Sequence, residues 1–179
     1  MGRQAGGPRV GHISNLILGA ILAVLLTATG LLAAQQADLG PVTNLPIPRY
    51  VSLKSSECNA RRGPSLTHRI DWVFTRRAMP LQVTAEHGHW RLVRDKDGVG
   101  GWVHYSLLSG VRTVLIEQDM VEMLGQPYAE APVVAQAEAG VVARLGECTL
   151  DWCRITAGGE RGWVQKTALW GVDADEVRP

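Results

Sequence analysis

The sequence predicts an all-β protein: two tandem small β-barrels behind an N-terminal hydrophobic helix. Three observations predict it. One long apolar run stands near the start. A pattern of Trp- and Gly-containing segments occurs twice, 61 to 63 residues apart. Within each copy the segments are short, alternate in polarity and end in turn residues.

The first element is the apolar run from Ile13 to Ala34, preceded by Arg3 and Arg9. Its length is about the ~20 residues that span a bilayer. It exceeds the ~7–15 apolar residues of an ordinary signal peptide. Small-residue cleavage cues around Ala28 and Gly30, and around Ala33 to Ala37, are only partial. A signal peptide and a membrane anchor over residues 1–34 both remain open. Either keeps the basic end in the cytoplasm and exports the rest.

Residues 35–49 read as a linker, because Pro41, Pro46 and Pro48 withhold backbone donors and stiffen the path. Residues 173–179 are polar and acidic and read as a frayed tail. The net charge of +1 hides an uneven distribution. Residues 49–94 hold nine Lys/Arg against three Asp/Glu, and residues 95–179 hold seven against thirteen. Blocks of one sign read either as solvated faces or as a docking surface. Lys54, Arg61, Arg62, Arg69, Arg76 and Arg77 form the candidate basic surface, with an anionic protein or lipid as its partner.

The repeat defines two units, 50–110 and 111–172. GWVHYSLLSG (101–110) matches GWVQKTALWG (162–171), Trp90 matches Trp152, and Pro64 matches Pro127. In the first unit, Leu81 to Ala85 and Trp90 to Val93 alternate and are bounded by His87-Gly88-His89 and Asp95 to Gly98. In the second, Val141 to Leu145 and Trp152 to Ile155 lead to Gly158-Gly159. Short strands at this spacing with glycine turns make a small barrel or sandwich. Residues 67–75 read as a loop leading into a strand, and residues 128–139 as an Ala-rich loop or strand.

These residues resemble the bacterial SH3 family. Cys58-Asn59-Ala60-Arg61-Arg62-Gly63-Pro64 stands where that family has a V-N-x-R-x-G-P segment. Trp90 to Val93 stands at its W-x-x-V strand, and Gly101-Trp102-Val103 with Leu107-Leu108 at its closing strand. The second copy keeps Trp152 to Ile155 and Gly162-Trp163-Val164, but has Met123 to Pro127 in place of the first motif. The resemblance implies two SH3-like β-barrels and an exported, tandem envelope-binding module. Fold resemblance alone leaves the function open.

Three cysteines remain. Shifted back by 62 residues, Cys148 and Cys153 fall on Glu86 and Arg91, an opposite-charge pair. Both pairs make sense facing each other across a hairpin, at the ~4.5–5.5 Å of cross-strand neighbours. That favours a Cys148–Cys153 disulfide, with two free thiols or a metal as alternatives. A zinc site needs more ligands than this stretch supplies. Cys58 reads as a buried free thiol. His87 and His89 read as a turn, since two ligands do not make a metal site.

Trp90, Trp102, Trp152 and Trp163 recur in register and read as core or barrel-rim packing. Aromatic-lined grooves hold extended ligands in SH3 domains, which makes Trp72, Trp102 and Tyr105 the groove candidates. No nucleotide-binding loop, serine-hydrolase elbow or zinc-protease motif is present. No catalytic residue, metal, cofactor or nucleic-acid partner is expected. The expected function is non-enzymatic recognition of a cell-wall peptide, glycan-peptide or envelope protein, in the periplasm or envelope. The alternatives are a structural adaptor on an anionic partner and an accessory to a cell-wall hydrolase system.

Overall fold

A computed structural model describes Met1, Gly2, Gly6 and residues 38–179. The apolar run read as signal or anchor lies outside the described residues. Among the described residues no helix is long and apolar enough to cross a membrane. The described chain is all-β, with two single 3₁₀ turns, Tyr105–Leu107 and Lys166–Ala168.

Two seven-stranded antiparallel sheets carry the repeat. In lobe 1, β3 (Arg49–Leu53), β4 (Cys58–Arg61), β5 (Ile70–Phe74), β6 (Pro80–His87), β7 (Trp90–Arg94), β8 (Gly100–His104) and β9 (Leu108–Ser109) lie in the order β5-β4-β8-β7-β6-β3-β9. In lobe 2, β10 (Thr113–Ile116), β11 (Val121–Leu124), β12 (Val133–Ala137), β13 (Val142–Cys148), β14 (Trp152–Ala157), β15 (Glu160–Gln165) and β16 (Leu169–Trp170) lie in the matching order β12-β11-β15-β14-β13-β10-β16. Neither ladder closes, which corrects the expectation of closed barrels. The reason is local. The hairpin β4–β5 joins the rest of its sheet through one register pair, Arg61 with Trp102, and β11–β12 through Leu124 with Trp163. Each hairpin forms an arm that folds onto its lobe, giving Cys58, Ala60 and Phe74 to one core and Met123 and Ala137 to the other, and its outer strand ends the sheet.

Alternation sets what is buried, since successive side chains on a strand face opposite ways. Val83 pairs with Val93, and both face the interior with Val103, Leu81 and Phe74. Leu145 with Ile155, and Cys153 with Val164, repeat this in lobe 2. Trp90 pairs with His104 and Trp102 with Leu92, one residue out of phase with the core. All four register tryptophans are therefore half-buried on the outer face, and the core is mostly aliphatic, with Phe74 as its aromatic ring in lobe 1. The glycine preceding Trp102 and Trp163 has a steric reason. A Cβ on Gly101 would run into the Arg61 carbonyl, and one on Gly162 into Met123, where the arm crosses.

The lobes are joined by short polar and aromatic contacts. Ser52 Oγ donates to the Val111 carbonyl and Thr113 Oγ1 to the Ala78 carbonyl, both at 2.7 Å. Tyr50 meets Trp170 edge-to-face at 5.4 Å, with the Arg112 guanidinium 5.4 Å from the Tyr50 ring. Residues 37–179 form one compact unit.

From Asp38 onward the first flanking segment is folded, and so is the second, in contrast to their reading as linker and frayed tail. β1 (Asp38–Leu39) and β2 (Pro46–Ile47) pair as a ribbon whose turn docks on Glu86. In the tail, Arg178 pairs with Cys148, and Glu176 takes a bidentate contact from Arg112 at 2.8 and 2.9 Å. Local composition concealed both, because the partners lie 43 and 64 residues away.

Candidate functional site

The outer face of lobe 1 gathers aromatic and imidazole rings. Strand register places His87 beside Trp90, Trp90 beside His104, and Leu92 beside Trp102. The rings fall into two neighbouring groups, His87 with Trp102 and Trp90 with His104, Tyr105 and His89. His87 meets Trp102 at 6.5 Å and Trp90 meets His104 at 5.5 Å, both edge-to-face. His104 lies 5.0 Å from Tyr105 and 5.8 Å from His89. His104 is fixed through Nδ1, 2.7 Å from Ser106 Oγ. The turn Gly88-His89 brings His89 alongside Tyr105 at 5.6 Å, and Tyr105 is about half exposed. Flat half-exposed rings beside imidazole donors and acceptors suit a ligand with both apolar faces and hydrogen-bonding edges.

The structure brings Trp102 and Tyr105 onto this face and leaves Trp72 apart. Trp72 pairs with Ala60, which faces the core side of β4, whereas Trp102 pairs with the next residue, Arg61. Trp72 is exposed on the end strand β5. The sequence reading missed His87, His89, Trp90 and His104 as members of the face. The signal was available in the alternation of Trp90 and Leu92 against Arg91 and Val93.

Most of the candidate basic residues are already engaged. Arg62 and Arg69 share Asp71 at 3.0 and 2.6 Å, and their hydrogen bonds hold its carboxyl below the ordinary range. Arg61 donates to the carbonyls of Leu66 and His68, bracing the arm, and Arg76 donates to Gly140 of lobe 2. Lys54 and Arg77 are exposed and form no ion pair among the described residues.

Lobe 2 differs at the same place. Trp152 pairs with Gln165 as Trp90 pairs with His104. Here the indole lines an open groove of about 370 Å³ together with Asp119, Met120 and Glu122. The groove was not anticipated. Its signal is the stretch 113–143, which holds five acids and no Lys or Arg.

Two cysteines form a disulfide, Cys148 to Cys153, at the register position that Glu86 and Arg91 occupy in lobe 1. Cys58 is buried, and burial pushes its thiol up to about 11, so near neutral pH it is protonated and a poor nucleophile. Among the described residues no group of three or more His, Cys, Asp or Glu is placed to hold a metal ion.

The family model described as bacterial SH3 domain matches this chain twice, over residues 54–110 and 117–171. Two solved structures from Trichomonas vaginalis, NlpC2 and NlpC1, are each 14% identical, with TM-scores of 0.33. The matches cover 70% and 73% of this chain but only 50% and 48% of theirs, so the chain spans about half the length of those proteins. No curated protein matches it.

Proposed function

The chain belongs to the bacterial SH3 domain family, a family of binding modules, and from that premise we propose that it recognises a peptide or glycan-peptide of the cell envelope through the outer face of lobe 1. The observation that carries the reading is the ring cluster of Trp90, His89, His104 and Tyr105, with the His87–Trp102 pair beside it on the same sheet. Stacking against sugar or peptide planes and hydrogen bonding by imidazole are both available there. In this reading the chain is exported. The disulfide fits an oxidising compartment, and the apolar run of residues 13–34 serves as signal or anchor. Binding rather than catalysis fits the buried, protonated Cys58.

The adaptor reading draws on lobe 1 charge. Arg62 and Arg69 share Asp71, and Arg61 and Arg76 are held by backbone carbonyls but keep their charge, so Lys54 and Arg77 are the side chains the adaptor can use without breaking a contact. The two readings part in one assay, co-sedimentation of the full chain with purified peptidoglycan sacculi. The expected result is saturable binding that falls at least about tenfold in Tyr105→Ala, equivalent to about 1.4 kcal/mol. Binding to sacculi at background level, or binding indifferent to Tyr105→Ala, contradicts the proposal. Binding lost in Lys54→Glu with Arg77→Glu but kept in Tyr105→Ala supports the adaptor instead.

A further inference from the structure

The two arms carry opposite charge and equivalent geometry. β5 ends the lobe 1 sheet and β12 ends the lobe 2 sheet, and each is the outer strand of its arm. A strand at the end of a sheet leaves one row of N–H and C=O groups without a strand partner, and protein chains normally blunt such edges. These two are not blunted by burial. Ile70, Trp72 and Val73 on β5 are 41%, 46% and 39% exposed, and Val133 and Val134 on β12 are 49% and 48% exposed. Contacts between the lobes run through Ser52, Ala78, Val111 and Thr113, through Tyr50 with Trp170, and through Arg76 with Gly140 just past the ends of β5 and β12; among the described residues they leave the side chains named above exposed.

Charge selects the occupant. From Arg61 to Arg77 there are five arginines against the single acid Asp71, whereas residues 113–143 hold five acids and no base. Setting β5 against β5, or β12 against β12, brings like charges together. Setting β5 of one copy against β12 of another brings opposite charges together and covers apolar side chains from both.

We infer that the chain self-associates head to tail, the lobe 1 edge β5 of one copy adding to the lobe 2 edge β12 of the next. Such a contact is heterologous, so it extends into a row of copies unless the rotation between neighbours closes a ring. Neither edge involves the ring cluster on the outer face of lobe 1, so association and ligand binding are separable.

The test is light scattering on the full chain held in a mild non-ionic detergent, across a concentration series. Screening shortens as salt rises, so low salt (about 50 mM) is compared with high salt (about 500 mM). At low salt the protein mass should rise with concentration to at least about twice that of one chain, and it should fall back at high salt. Two charge-reversed variants, R62E/R77E on the lobe 1 arm and E130K/E138K on the lobe 2 arm, change exposed side chains and should each stay single at low salt. Mixed together they should associate again, because each supplies the edge the other lacks. Circular dichroism and melting checks that both variants are folded. A single-chain mass in the native protein at every salt and concentration overturns the inference. So does association that survives in either variant alone, which would place the contact in the N-terminal segment or elsewhere. Failure of the mixture to recover also overturns it.

Discussion

The two lobes share a ladder but fasten it differently at one corresponding position. In lobe 1, Glu86 faces Arg91, and in lobe 2, Cys148 faces Cys153. A flanking segment docks at the first residue of each pair. The Glu86 carboxylate accepts from the Val42 and Thr43 N–H groups at 3.0 and 2.9 Å, from Thr43 Oγ1 and from Arg49 at 2.6 Å, with Arg91 Nε at 3.4 Å. Cys148 pairs through its backbone with Arg178. A carboxylate can gather five donors, so lobe 1 uses it to hold both a hairpin and the incoming chain. A disulfide satisfies no donors. The lobe 2 tail is instead held by backbone pairing and by the separate Arg112–Glu176 contact. The two lobes share the position, and each ties its hairpin there with a different chemistry.

The largest effect should come from breaking the ionic tie. Replacing Glu86 with Gln leaves Arg49 and Arg91 largely buried without their counter-charge, a loss of about 3–5 kcal/mol. Acid does the same reversibly. Burial alone would raise the Glu86 pKa, but hydrogen bonds from Thr43, Arg49 and Val42 outweigh it and lower the carboxyl from 4.5 to about 2. A depressed carboxylate stabilises the fold above its unfolded value, and that stabilisation is lost as pH falls through the folded one. Roughly 3 kcal/mol should therefore disappear between about pH 4.5 and pH 2, at 1.36 kcal/mol per pKa unit. Amide hydrogen exchange read by peptide should show protection falling in residues 38–49 and 80–94. An equal loss across residues 142–157 would mean that the ties are not independent.

Cutting the covalent tie should cost less. Cys148 and Cys153 are five residues apart, so the closed loop is short and its chain-entropy contribution is about 2 kcal/mol. Mild reduction should lower protection in β13 and β14 while leaving the Glu86 hairpin as it was. Destabilisation of lobe 1 by the same amount would contradict the comparison.

Much of this was legible in the sequence. The Gly-Trp-Val repeat located both lobes, and the offset between Glu86/Arg91 and Cys148/Cys153 identified the cross-strand pair. What stayed hidden was non-local. Nothing near Thr43 announces that Glu86 will bind its backbone, and proline content made residues 38–48 look like a tether. The open sheets were hidden too, because alternation identifies strands without stating whether the last one returns to the first. Trp72, Trp102 and Tyr105 share an aromatic character that composition registers. Only the register of β4 against β5 and β8 separates Trp72 from the other two.

The lobes also differ in what they offer a ligand, rings and imidazoles on lobe 1 and an acid-lined groove on lobe 2. Each Trp carries one indole N–H, so the six tryptophans give six probes spread over both lobes. Titrating the full chain, in detergent, with a soluble glycan-peptide fragment released from sacculi should move the Trp90 and Trp102 indole signals in one saturable nuclear magnetic resonance titration. The His89, His104 and Tyr105 ring signals should move with the same midpoint, while Trp163 stays still. Shifts confined to Trp152 and Trp163, or no shifts at saturating fragment, would contradict recognition by the lobe 1 face.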